Sequence, residues 1–310
     1  MTTKPIVARL DLSIAPRARF VHSTVLADYW ALTKPEVNFL IVITTFAGFY
    51  LARAGGWQDF PLLLAINAVL GTLLVASGTG TLNQYIEREF DAQMRRTACR
   101  PLAAGRLKPG AVLWFGLALS VVGSVYLAVA VNILASLLGA AALVSYLFIY
   151  TPLKRKTPLC TLVGAFPGAM PPLIGWAAAS GKLNLQAWVL YAMLFLWQFP
   201  HFMAIAWMYR EDYDRAAYRV LPRDNQSRIR FVNRQILLPL SGLIIVSFLP
   251  ALTGQFTTLF CVGSLVLSVG FLYYGGQFVI RRSTSAARQL LAASIIYLPT
   301  LFFVMVLARV

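Results

Sequence analysis

Apolar runs close to 20 residues long recur along this chain, at about 37–54, 61–82, 111–130, 132–150, 160–179, 186–206, 235–253, 256–276 and 289–308. Nothing else in the sequence constrains the fold as much. A run of that length spans a bilayer as an α-helix, because only a helix or a closed barrel satisfies its backbone polar groups without water. Composition agrees, with 59% hydrophobic and 12% charged residues and a mean hydropathy of +0.70, against about a quarter charged in soluble domains. The sequence therefore predicts an all-α, polytopic membrane protein with nine transmembrane helices.

The basic residues test that count independently, since Lys and Arg accumulate in cytoplasmic loops. With the N-terminus cytoplasmic, 24 of the 27 Lys and Arg residues fall on the inner side, and only Arg53, Lys182 and Arg309 fall outside. Miscounting one helix would invert every later loop and abolish the asymmetry. The net charge of +16 is thus a property of loops beside a lipid bilayer with anionic head groups, and no nucleic-acid module accompanies it. Residues 1–33 hold no long apolar run and read as a cytoplasmic tail rather than a secretory signal. Asp11 and Asp28 argue against a mitochondrial presequence, so a bacterial inner (plasma) membrane is expected rather than the mitochondrial one. Residues 34–310 form a single transmembrane domain. Cys99, Cys160 and Cys261 lack metal-type spacing.

Acidic residues are scarce, eleven in 310, and seven lie in two stretches that each follow an apolar run: Glu87, Glu89 and Asp91, then Glu211, Asp212, Asp214 and Asp224. They belong to the two loops large enough to build a site, 83–110 and 207–234. A spacing of four places Asn83, Glu87 and Asp91 on one helix face, drifting about 40° per step, and one turn further on is Arg95. Eight residues of helix rise about 12 Å, whereas Mg²⁺ binds oxygens near ~2.1 Å and keeps several waters while sharing substrate phosphates. One ion cannot touch all three side chains. Two Mg²⁺ flanking a diphosphate fit the stripe, with Arg95, Arg96 and Arg100 neutralising the remaining phosphate charge.

The segment Asn83-Gln-Tyr-Ile-Glu87-Arg-Glu-Phe-Asp91-Ala-Gln-Met-Arg95-Arg96-Thr97, followed by Arg100-Pro101-Leu102, resembles the first signature of the UbiA-type intramembrane prenyltransferases. Their general motif is Asn-x-x-x-Asp-x-x-x-Asp. Glu in place of the first Asp, at position 87, resembles the protohaem IX farnesyltransferase (haem O synthase) branch. Leu32-Thr33-Lys34-Pro35, Tyr150-Thr151-Pro152-Leu153-Lys154-Arg155, Gly168 through Trp176, Trp197-Gln198-Phe199-Pro200-His201-Phe202, Asp212-Tyr213 and Leu221-Pro222 continue the resemblance in order. The second acidic loop departs from the superfamily. Four residues after Glu211, Asp212 and Asp214 stand Arg215, Ala216 and Tyr218, so no Asp-x-x-x-Asp pair exists, and Ala217 occupies a common Gly position.

The resemblance implies a nine-helix prenyltransferase bundle that moves the farnesyl group of farnesyl diphosphate onto a vinyl group of haem b, with water addition, giving haem O and diphosphate. Haem b is then a substrate rather than a prosthetic group. Mg²⁺ held by Asn83, Glu87, Asp91 and Asp212, with Lys154, Arg155 and Arg95, would stabilise the departing diphosphate. Arg96, Arg100, Lys34 and Tyr213 complete the candidate binding set, and Tyr150 and Tyr85 are candidate aromatic faces for the allylic cation. His201, the one histidine in an apolar run, is a candidate contact for haem. Pro167, Pro171 and Pro172 are expected to kink the fifth span, and Gly164 and Gly168 suit close helix packing. A haem A synthase is the candidate recipient of the product. The alternatives are a relative acting on an aromatic or quinone precursor, and a cation-coupled transporter, whose carboxylates would lie mid-bilayer rather than at one face.

Overall fold

A computed structural model describes residues 24–53, 60–253 and 257–309, which form helices joined by turns, with no β-strand among them. Among the described residues, eight helical runs are long and apolar enough to cross a membrane: Leu62–Asp91, Pro109–Ala130, Ile133–Leu153, Cys160–Ser180, Leu185–Met208, Asn225–Ala251, Thr258–Arg281 and Thr284–Leu307. The first expected span is represented by the shorter α2 (Pro35–Leu51), whose 17 residues reach about 25 Å at ~1.5 Å per residue. Large apolar side chains such as Leu63, Trp114, Val129, Phe148 and Ile280 point outward. Facing water they would form an aggregation surface; they suit lipid.

Local sequence sets the helix ends. Pro35 and Pro109 open α2 and α4 (Pro109–Ala130), where a missing N–H is harmless. Asn132, Asn184, Asp224 and Ser283 cap α5 (Ile133–Val144), α9 (Leu185–Met208), α11 (Asn225–Phe248) and α13 (Thr284–Leu307), each side chain accepting a backbone N–H three residues on. Such caps satisfy orphan donors where spans meet short loops.

The helices close into a ring. Neighbours in sequence pack in order from α2 through α3 (Leu62–Asp91), α4 and α5, then from α9 through α11 and α12 (Thr258–Arg281) to α13, which returns to α2. Arg309 fastens the closure, donating to Tyr50 O at 2.7 Å. The tightest approach inside the ring is between α2 and α8 (Met170–Ser180), where a Cβ on Gly48 or Gly175 would collide with the main chain of Pro172 or Thr45. Only glycine allows backbones that close.

Several local features bear on the sequence expectation. Residues 1–23 of the expected tail, with Lys4, Arg9, Arg17, Arg19 and His22, lie outside the described residues. The rest of it is a helix, α1 (Val25–Leu32), because buried Asp28 receives three hydrogen bonds of 3.0–3.1 Å from Arg106. Helix α3 ends at Asp91, so the polar stripe stops there and Arg95 stands exposed in the following turns. The fourth span widens into a π-helical turn at Ser145–Tyr150 before α6 (Thr151–Leu153). The fifth breaks at Ala169 between α7 (Cys160–Gly168) and α8, as its prolines predict.

Candidate active site

The last two turns of α3 present Asn83, Glu87 and Asp91 on one face, and all three are buried. A carboxylate cannot be buried beside apolar helices without a partner, and each acid here has one. Glu87 accepts from Lys154 Nζ at 2.8 and 3.1 Å. Asp91 Oδ2 accepts from Arg100 Nη1 at 2.6 Å. Asp212, on α10 (Arg210–Arg215), accepts from the Arg96 N–H at 3.1 Å and from Arg215 at 3.0 Å. The Arg96 contact joins the first loop to the second. Asn83 accepts from Lys34 Nζ at 2.9 Å and donates to Thr151 Oγ1 at 3.2 Å.

Lys154 reaches Glu87 because the π-helical turn re-aims the end of the fourth span, a device often found at functional sites. Thr151 Oγ1 donates to Tyr146 O at 2.9 Å within that turn. Tyr150 and Tyr146 then lie under the ammonium, with ring centroids 4.6 and 5.9 Å from Nζ. Gly164 on α7 leaves the room that the Tyr150 ring fills. Burial alone would lower the Lys154 pKa, but Glu87 and the two tyrosines override it and hold the ammonium charged well above its usual range. Lys34 shows the opposite balance. Its burial, followed by the charges of Arg100 and Lys154, brings it down to about 7.

Two buried polar atoms at this place lack hydrogen-bond partners, Asp91 Oδ1 and the Tyr218 hydroxyl. Tyr218 packs with Met94 and Ala216 against Phe90 and Tyr213. Its phenol is pushed up by burial first and by the Glu87 carboxylate next. Ala217 just before it has φ 57°, a left-handed conformation unusual for a residue with a Cβ. Sequence reasoning passed over Tyr218, which appeared only as the residue that breaks the Asp214 spacing. The non-glycine at 217 was the available signal.

The other expected residues divide. Tyr213 packs edge-on to Tyr218 at 6.0 Å. Arg96 lies over the Tyr209 ring at 5.1 Å, and Arg155 lies over Phe90 at 4.4 Å, outside the Lys154–Glu87 pair. Tyr85 turns away, packing beside Leu32, Leu102 and Leu107 under Arg88, because a residue two after Asn83 sits on the far side of the helix. His201 is apart from the acids: its Nδ1 meets Ser294 Oγ on α13 at 2.8 Å and its ring stacks on Trp197 at 4.7 Å.

Among the described residues no three of His, Cys, Asp and Glu converge as a metal cage. The donors are nonetheless the hard oxygens that Mg²⁺ takes, and the unpartnered Asp91 Oδ1 suits a cation that draws its remaining ligands from phosphate and water. The geometry as a whole is a mouth of paired acids and basic groups at one end of an apolar ring.

Known proteins share both sequence and fold. Residues 41–306 match the UbiA prenyltransferase family. The chain is 49% identical over 288 residues to a protoheme IX farnesyltransferase of Solibacter usitatus (strain Ellin6076), covering 91% of this chain and 98% of that one. A digeranylgeranylglyceryl phosphate synthase superposes with a TM-score of 0.71 at 16% identity, covering 91% and 98% of the two chains. A UbiA homologue from Archaeoglobus fulgidus, solved with GPP and Mg²⁺, superposes with a TM-score of 0.61 at 15% identity, covering 90% and 99%. The ring of helices, its mouth of paired charges and these similarities lead to one conclusion: the chain belongs to the UbiA prenyltransferase family.

Proposed function

We propose that this protein transfers the farnesyl group of farnesyl diphosphate to a vinyl group of haem b, making haem O. The observation that carries the reading is the buried Lys154–Glu87 pair beside Asp91–Arg100, a charged mouth on an apolar interior. That is the shape of a prenyl diphosphate, and the relative with 49% identity carries the name of the haem enzyme. In this reading the tail lies among the helices and the diphosphate meets Lys34, Lys154 and Arg100. As the carbon–oxygen bond at farnesyl C1 breaks, the electron pair leaves with the diphosphate, and these cations stabilise it. Mg²⁺, when bound, neutralises diphosphate charge as a Lewis acid; Asn83, Glu87, Asp91 and Asp212 would supply its protein oxygens.

The vinyl π-electrons of haem b bond to farnesyl C1, water captures the resulting porphyrin-stabilised cation, and a proton is released. No side-chain nucleophile is required. The rings of Tyr146 and Tyr150, already holding a cation at Lys154, suit the developing allylic cation. Nine spans with a cytoplasmic N-terminus, in a bacterial inner membrane, would put this mouth on the cytoplasmic side, where a haem A synthase would take up the product. The test is incubation of the purified protein with farnesyl diphosphate, Mg²⁺ and either haem b or 4-hydroxybenzoate. Farnesylated haem is expected, and prenylation of the benzoate alone would reassign the acceptor.

A further inference from the structure

Immediately outside the Lys154–Glu87 pair lies a cavity of about 420 Å³, lined by Arg155, Lys156, Arg219 and Arg223 around Phe90. Its inner wall is the main chain that builds the active site. The Arg219 N–H donates to Lys154 O at 2.7 Å, so Lys154 and Tyr218 face inward while their sequence neighbours Arg155 and Arg219 face this cavity. Most cations nearby are engaged: Arg100, Arg106, Arg210, Arg215 and Arg228 all meet acids or carbonyls. Among the described residues, none of the four lining cations enters an ion pair or a side-chain hydrogen bond, and no carboxylate lines the cavity. Loop charge set only by membrane topology would be scattered. Here four exposed positive charges converge on one concavity, an arrangement whose mutual repulsion a bound anion would relieve.

We propose that this cavity binds the two propionate carboxylates of haem b and thereby fixes the porphyrin's orientation; this rests on the haem-farnesylating reading above. Haem b carries both propionates on one edge and its vinyl groups on other edges. Anchoring the carboxylates at the basic rim leaves the apolar, vinyl-bearing part to enter the ring of helices, where farnesyl C1 is released. Three guanidinium forks and an ammonium suit two carboxylates, and Phe90, already stacked on Arg155, offers an aromatic face at the threshold.

The test is steady-state kinetics of the full chain in detergent with haem b and with its dimethyl ester, which keeps both vinyls and lacks both charges. Wild type should show a KM for the ester about tenfold above that for haem b, the effect of about 1.4 kcal/mol, with the KM for farnesyl diphosphate unchanged. In the double variant Arg219→Gln/Arg223→Gln the KM for haem b should rise toward the ester's while the ester's stays put, bringing their ratio near one. An unchanged ratio in the variant would overturn the assignment. So would a variant whose KM rises for farnesyl diphosphate instead, marking a diphosphate site. A wild type that uses ester and haem b equally well refutes it without any variant, and one that farnesylates neither removes the activity and the assignment together.

Discussion

The Lys154–Glu87 pair permits the most quantitative prediction. Its side chains are 13% and 8% exposed and 2.8 Å apart, so solvent screens them little. Removing one partner of a buried pair typically costs about 3–5 kcal/mol, because the remaining charge stays buried. In Glu87→Gln the ammonium retains the Tyr150 and Tyr146 rings, worth about 1–2 kcal/mol when desolvated, and it can lose its proton. The net loss should then be about 2–3 kcal/mol. In Lys154→Met the Glu87 carboxylate keeps only the more distant Lys34 and Arg100 as compensation, and the loss should be similar. The double variant removes both charges and should recover about 2 kcal/mol relative to the sum of the singles. Denaturant unfolding of the four proteins in one detergent reads this directly. Additivity within about 0.5 kcal/mol would refute a coupled pair. Activity should not follow stability, since all three variants lack diphosphate-neutralising or metal-binding groups and should lose most haem O formation.

Further substitutions probe separate parts of the site and the fold. Tyr218→Phe removes one unpartnered buried hydroxyl and should raise stability by up to about 1 kcal/mol, yet lower turnover about tenfold if that hydroxyl meets the diphosphate; equal turnover would make it a packing residue. Asp28→Ala takes away three charge-assisted bonds from Arg106 and should cost about 2 kcal/mol, measured as unfolding free energy and as new protease cleavage within residues 25–32. Gly164→Ala puts a Cβ at 2.5 Å from Tyr150 Cε2; displacement of that ring should lower kcat more than it lowers Tm, and an unchanged kcat would remove Tyr150 from the site.

What the sequence made legible followed from strict periodicities. Apolar run length located the spans, because a bilayer imposes it, and the four-residue spacing put Asn83, Glu87 and Asp91 on one face, where all three are buried. Spacing failed where the backbone departs from regular geometry. The helix end at Asp91 removed Arg95 from the stripe, whereas Tyr85 lies on the far side because regular helix spacing requires it. The π-helical turn that lets Lys154 reach Glu87 leaves no periodic trace in Ser145–Tyr150, and the left-handed Ala217, which precedes Tyr218, shows only as an absent glycine. Long-range partners such as Asp28 with Arg106 depend on the closed fold and cannot be read from local pattern.

Whether the paired charges at the helix mouth serve farnesyl transfer to haem is read by extracting and chromatographing the haems after incubating purified protein with haem b, farnesyl diphosphate and Mg²⁺, alongside Glu87→Gln and Asp91→Asn. Haem O from the wild type, and a nearly complete loss of it in both folded variants, is the predicted result. Haem b recovered unchanged from the wild type, or near-normal haem O from both variants, would contradict it.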